Sequence, residues 1–178
     1  MTNKKHGLRG SHLEELINYT IELFRDNNIA LIQKIPTPIT PVEIDSKSRH
    51  ITLAYFDKKS TVDYIGVVQG VPVCFDAKEV SVDTFPMINV HKHQIDFMED
   101  FERQEGIAFF ILHYVRKDEY YYVPFAEMKQ FWDRALQGGR KSFTYDELDK
   151  SWIIESKNAL LINFLPQLKR DLLKRDNQ

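Results

Sequence analysis

Two aspartates and a lysine fall on what reads as one hairpin: Asp63 in VDYIGVV, then Asp76 and Lys78 in VPVCFDAK, with Gln69-Gly70 as a two-residue turn between them. If Val68 stands opposite Val71, the same register sets Asp63 opposite Asp76, and such opposed side chains lie about 5 Å apart at Cβ. Both strands are apolar on both faces, through Val62, Tyr64, Ile65, Val67, Val71, Val73, Cys74 and Phe75, as expected of central strands. Two ionised carboxylates in that setting repel each other and are expensive to bury. A divalent cation turns the repulsion into binding, because hard cations such as Mg²⁺, with Mn²⁺ as a substitute, take oxygen ligands alongside water and phosphate. Lys78 lies two residues after Asp76 and so shares its strand face, and in the same register it faces Thr61, completing a polar square. The plainer alternative is an Asp–Lys ion pair at a fraying strand end, and a bulge in either strand would spoil the register.

Two helical segments each carry a polar residue where an apolar one is expected. Glu14 precedes Ile17 and Ile21 by three and seven residues and leans toward their buried stripe, whereas Glu15 groups with Asn18, Tyr19 and Glu22 and faces solvent. Gln94 falls within the face formed by Val90, Phe97, Met98 and Phe101, where an amide either satisfies a backbone group or reaches a site. His91 and His93, two apart on a helix, point to different faces and make no paired zinc site; contact with DNA or plain exposure fits them better. There is no glycine-rich phosphate loop and no GxSxG elbow, and the lone Cys74 reads as a small buried filler.

Several elements must position these groups. A helix runs from Ser11, placed as its N-cap, to about Asn27, followed by a short strand over 29–35. Pro36, Pro38 and Pro41 then break regular structure, and residues 36–50 read as a protruding arm with Lys47, Arg49 and His50 at its far end. Further strands are expected over 51–56, in IAFFILHYV and in YYYVPF, with helices over 90–104 and 125–137, the latter ending at Gly138-Gly139. Residues 159–164 read as a last strand, and Pro166 as the start of a closing helix that ends near Lys174. The aromatics of YYYVPF and FWDR have the spacing of core. The whole describes one α/β domain with a central mixed sheet flanked by helices.

Composition agrees with a folded domain: 178 residues, 43% hydrophobic and 28% charged, exclude disordered and collagenous classes. No apolar stretch approaches the roughly 20 residues of a membrane span, and MTNKKHGLRGSH lacks the apolar core of a secretory signal, so a soluble, cytoplasmic protein is expected. The formal charge of −2 nominates no nucleic-acid partner by itself.

Taken together, the residues resemble a known pattern. Asp63, Asp76 and Lys78, with Glu14 on the first helix, are similar to the PD-(D/E)xK nuclease signature. RGSHLEELIN, KIPTP, STVDYIG, FDAKE, HKHQIDFM, FWDR and GRKSFTYDEL follow in the order and spacing of RecU-type Holliday-junction resolvases, from about Arg9 to Leu148. That resemblance implies a restriction-endonuclease-like fold in which the arm corresponds to a stalk. Thr61, Asp63, Asp76 and Gln94 would hold Mg²⁺, Lys78 would stabilise the transition state, and Glu14 would complete the acidic cluster. It implies hydrolytic cutting of four-way junctions by a homodimer, leaving a 5′-phosphate and a 3′-hydroxyl, with a recombinase as a further partner to expect. Where the family usually has Glu, this chain has the shorter Asp76. Lys47, Arg49, Lys58, Lys59, Arg140 and Lys141 are the candidate phosphate contacts, which set position rather than sequence. The rival expectations are a DNA-binding recombination modulator that does not cut, indifferent to Asp76→Asn, and a restriction-type nuclease with the same site and a linear substrate.

Overall fold

The computed structural model describes residues 12–56, 61–155 and 162–175. In chain order these form α1 (His12–Asp26), β1 (Ala30–Lys34), β2 (Ile39–Ile44), β3 (Ile51–Phe56), β4 (Tyr64–Val68), β5 (Val71–Val80), β6 (Thr84–Pro86), α2 (Lys92–Arg103), β7 (Ile107–Tyr114), β8 (Glu119–Pro124), α3 (Phe125–Leu136), β9 (Ser142–Thr144), β10 (Ile153–Ile154) and α4 (Leu165–Arg175).

The hairpin around Gln69-Gly70 forms as the sequence requires. Gln69 (φ 48°) and Gly70 (φ 88°) both adopt positive φ, the backbone of a tight turn whose twist matches its flanking strands. The register runs from Val68 opposite Val71 to Tyr64 opposite Phe75 without a bulge. This pair sits inside a six-stranded mixed sheet of order β1-β4-β5-β7-β8-β10. Only β5 and β7 pair in parallel, and α2 lies in the crossover between them, which is how parallel neighbours must be joined.

Neighbouring strands line up an aromatic row on one sheet face: Tyr64 stacks on Phe75, Phe75 on Phe109 and Phe109 on Tyr122, with centroids 4.7, 4.8 and 4.3 Å apart. Phe164, just before α4, packs on Phe75 and Phe109 and meets Phe24 of α1 edge-on, so α1 and the α4 segment cover this face. Side chains on a strand alternate, so Cys74, Asp76 and Lys78 belong to the opposite face, where α2 lies. Cys74 is fully buried, and burial pushes its thiol pKa up, which suits a filler and not a nucleophile.

Three expectations need revision. The arm extends further than residue 50: β3 pairs with β2 in a separate two-stranded ribbon, so residues 51–56 belong to the arm and not to the central sheet. A run such as ITLAYF is read equally well as a sheet strand or an arm strand, and only its pairing partner decides. Of the strand expected over 159–164, residues 159–161 lie outside the described residues and 162–164 are not extended into a strand, so among the described residues the last strand is β10. His91 and His93 do come together, their rings stacked with centroids 5.4 Å apart, because His91 precedes α2 in extended backbone and the helical rule does not reach it. The N-cap expected at Ser11 and the candidate contacts Lys58 and Lys59 lie outside the described residues.

Candidate active site

The β4–β5 ladder ends at Tyr64–Phe75, one residue short of Asp63 and Asp76. Beyond that point a side chain takes over from the backbone: the N–H of Ala77 donates to Asp63 Oδ2 at 3.0 Å, while the Asp63 carbonyl accepts from Ile35 N–H at 2.8 Å. Asp63 is therefore pinned between the β1 and β5 ends with its carboxylate turned toward β5. It lies within hydrogen-bonding reach of the Asp76 carboxyl.

Asp76 is completely buried, at 0% exposure. Its Oδ2 accepts from Lys78 Nζ and from Gln94 Nε2, each at 2.6 Å. Its Oδ1 has no hydrogen-bond donor. Burial, and next the adjoining Asp63 carboxylate, push the Asp76 carboxyl well above the usual aspartate range, and the Lys78 ammonium offsets this only in part. A buried carboxylate oxygen without a donor, beside a second carboxylate, calls for a positive charge or a proton.

Gln94 answers the question its helical face raised. His91 N–H donates to its Oε1 at 2.9 Å, so the amide is fixed and its Nε2 is what reaches Asp76. It thus orients the aspartate by donating a hydrogen bond to it, and in this arrangement its oxygen is already engaged. The His91–Gln94 spacing is that of a capping box, a sequence signal that points to this orientation. The Ala77 N–H, which holds Asp63, carries no sequence signal, because every residue other than proline has one.

Glu14 stands on the first turn of α1 and accepts from Lys34 Nζ of β1 at 2.7 Å. Its backbone carbonyl is 3.4 Å from the Tyr64 hydroxyl, which donates to Asn18 Oδ1 at 3.0 Å. Among the described residues no three His, Cys, Asp or Glu side chains group as a metal cluster, so the acids drawn tightly together are Asp63 and Asp76. Thr61 is exposed, two residues before Asp63.

The described basic candidates lie on the arm and between α3 and β9. Lys47 and Arg49 are exposed at the arm's tip, which the Asp45 carboxylate organises by accepting from the Lys47 and Ser48 N–H groups at 3.2 and 3.1 Å. Arg140 and Lys141 are exposed between α3 and β9, and Arg140 pairs with Glu147 at 3.5 Å. Among the described residues no helix is long and apolar enough to cross a membrane.

Comparison with known proteins adds a lineage to this geometry. The family model "Recombination protein U" matches residues 8–170. A protein of Oenococcus oeni named Holliday junction resolvase RecU is 40% identical over 173 residues, covering 94% of this chain and 88% of the relative. Proteins of the same name from Levilactobacillus brevis and Listeria innocua are each 41% identical, over 81% and 80% of this chain and 74% and 73% of their own length.

Proposed function

The chain belongs to the RecU family, and on that footing we propose that it is an endonuclease that resolves four-way DNA junctions, using Asp63, Asp76 and Lys78 with a divalent cation. The observation that carries the reading is the fully buried Asp76, whose Oδ1 lacks any donor while a second carboxylate adjoins it. An ion pair at a fraying strand end would have no such deficit.

The residues fit a hard cation: Asp63 and Asp76 would hold Mg²⁺ or Mn²⁺ through oxygen, with Thr61 near enough in sequence to contribute through water. When bound, the cation supplies a Lewis acid for the scissile phosphate and lowers the pKa of an attacking water. The remaining work falls to the chain's own groups. The Ala77 N–H holds Asp63 in place, and the Gln94 amide and Lys78 ammonium converge on a single Asp76 oxygen, which leaves the other without a donor and open to a cation. Lys78, with its side chain 21% exposed, can also meet the phosphate and offset charge that builds on it during in-line attack. Lys47 and Arg49 at the arm's tip, with Arg140 and Lys141, would set the DNA's position through phosphates. A junction is cut on two symmetric strands, so the working unit is a two-fold homodimer with one such pocket per protomer.

The test is cutting of a labelled four-way junction beside a linear duplex of the same sequence, with Mg²⁺ or with chelator, by the wild type and by Asp63→Ala, Asp76→Asn and Lys78→Ala. Magnesium-dependent cutting confined to the junction, lost in all three variants, is expected. Junction binding without cutting would favour the non-catalytic modulator, and equal cutting of the duplex a restriction-type enzyme.

A further inference from the structure

Glu79 follows Lys78 on β5 and therefore points to the other sheet face, the one α1 covers. Its Oε1 accepts the backbone N–H of Leu13, in the first turn of α1, at 3.1 Å. The same oxygen lies 3.4 Å from Nδ1 of His113, which the parallel register sets beside Glu79 on β7. His113 is itself buried, at 4% exposure, and its ring stacks on Tyr120 of β8 with centroids 4.3 Å apart. Its Nε2 has no hydrogen-bond partner, the nearest acid being Asp118 at 3.6 Å. One carboxylate thus joins three elements: the catalytic end of β5, the neighbouring β7 and the start of α1.

We infer that Glu79, oriented by His113, is a positioning residue that ties the first turn of α1 to the catalytic end of β5. The first N–H groups of a helix have no partner within the helix, so an acid supplied from another strand both satisfies one and fixes where the helix begins. That turn carries Glu14, which holds Lys34 at the end of β1, and the next residue, Ile35, donates its N–H to the Asp63 carbonyl. On the strand itself, consecutive residues face opposite ways, so clamping Glu79 on one face fixes the direction in which Lys78 leaves the other, toward Asp76. The tie lies on the sheet face opposite the one that carries Asp76 and Lys78.

This inference rests on the junction-cutting reading, and the test separates the two. Full-length Glu79→Ala, Glu79→Gln, His113→Leu and His113→Asn are compared with the wild type for cutting of the four-way junction in Mg²⁺, and for amide hydrogen exchange over residues 12–16. Glu79→Ala and His113→Leu are expected to lower kcat by about 10-fold or more with KM unchanged, as outer-shell changes at metal sites do. Both should also speed exchange in the first turn of α1. Glu79→Gln keeps an oxygen acceptor and His113→Asn keeps an N–H near the Nδ1 position, so each should restore kcat and slow exchange. Wild-type kcat in Glu79→Ala, or failure of both conservative variants to restore it, would overturn the inference. If the wild type itself leaves the junction intact, the nuclease reading fails alone, because the exchange comparison still decides whether the tie exists.

Discussion

The two ends of α2 each meet a pair of carboxylates, one buried and one half-buried, and the two pairs are finished differently. At its C-terminal end, Asp171 of α4 accepts from the Tyr122 hydroxyl at 2.7 Å and from Arg175 Nε at 3.0 Å, while Glu102 accepts from Arg175 at 2.6 Å and from the Ala108 N–H at 3.3 Å. Every acid there has its donors and a cation. At the N-terminal end, Asp76 receives Lys78 and Gln94 on one oxygen and nothing on the other, with Asp63 beside it. The first group closes on itself and serves as a clasp between α2, β8 and α4. Both groups set two acids against one cation, but the second leaves a buried carboxylate oxygen without a donor beside another carboxylate.

If the contrast is right, breaking the two groups has unlike consequences. The largest effect belongs to the open group: Asp63→Ala should lower the junction-cutting rate by about 10³-fold, the scale on which removal of a charge-stabilising group acts, with little change in melting temperature. Lys78→Ala should lower the rate as much but also the melting temperature, because it leaves the fully buried Asp76 without its cation. Rate measurements below the melting range would check it. Next comes the closed group. Arg175→Met leaves Glu102 and Asp171 without their cation and should cost about 2 kcal/mol, below the usual loss for a fully buried pair because the arginine side chain is 30% exposed. Thermal or urea denaturation should show that loss with cutting intact.

The sharpest comparison applies the same substitution to both. Asp76→Asn should raise the stability of the metal-free protein by about 1 kcal/mol, because the amide removes one of two adjoining negative charges. Asp171→Asn should lower stability by about the same amount, since there each carboxylate oxygen already has a donor, the Tyr122 hydroxyl on one and Arg175 on the other. Equal signs in the two denaturation curves would count against the distinction.

Much of the open group is legible in the sequence, for a physical reason. A two-residue turn at Gln69-Gly70 leaves one register, and that register alone brings Asp63, Asp76 and Lys78 to one place. Gln94 is visible as an amide on an apolar helix face. The closed group is not legible: Glu102 and Arg175 are 73 residues apart, and no periodicity links a residue on α2 to one on α4. The same holds for β3, whose apolar residues look like sheet but pair only with β2, and for the stacked His91 and His93, which depend on where α2 begins. Local patterns specify elements and tight turns; contacts that close over long loops need the fold.

The most direct test of the account is the change in melting temperature on adding millimolar Mg²⁺ or Mn²⁺ to the wild type, Asp76→Asn and Arg175→Met. A cation that fills the deficit should stabilise the wild type and Arg175→Met by the same saturable increment, and should do nothing for Asp76→Asn. The absence of any shift in the wild type, or an equal shift in Asp76→Asn, would contradict it.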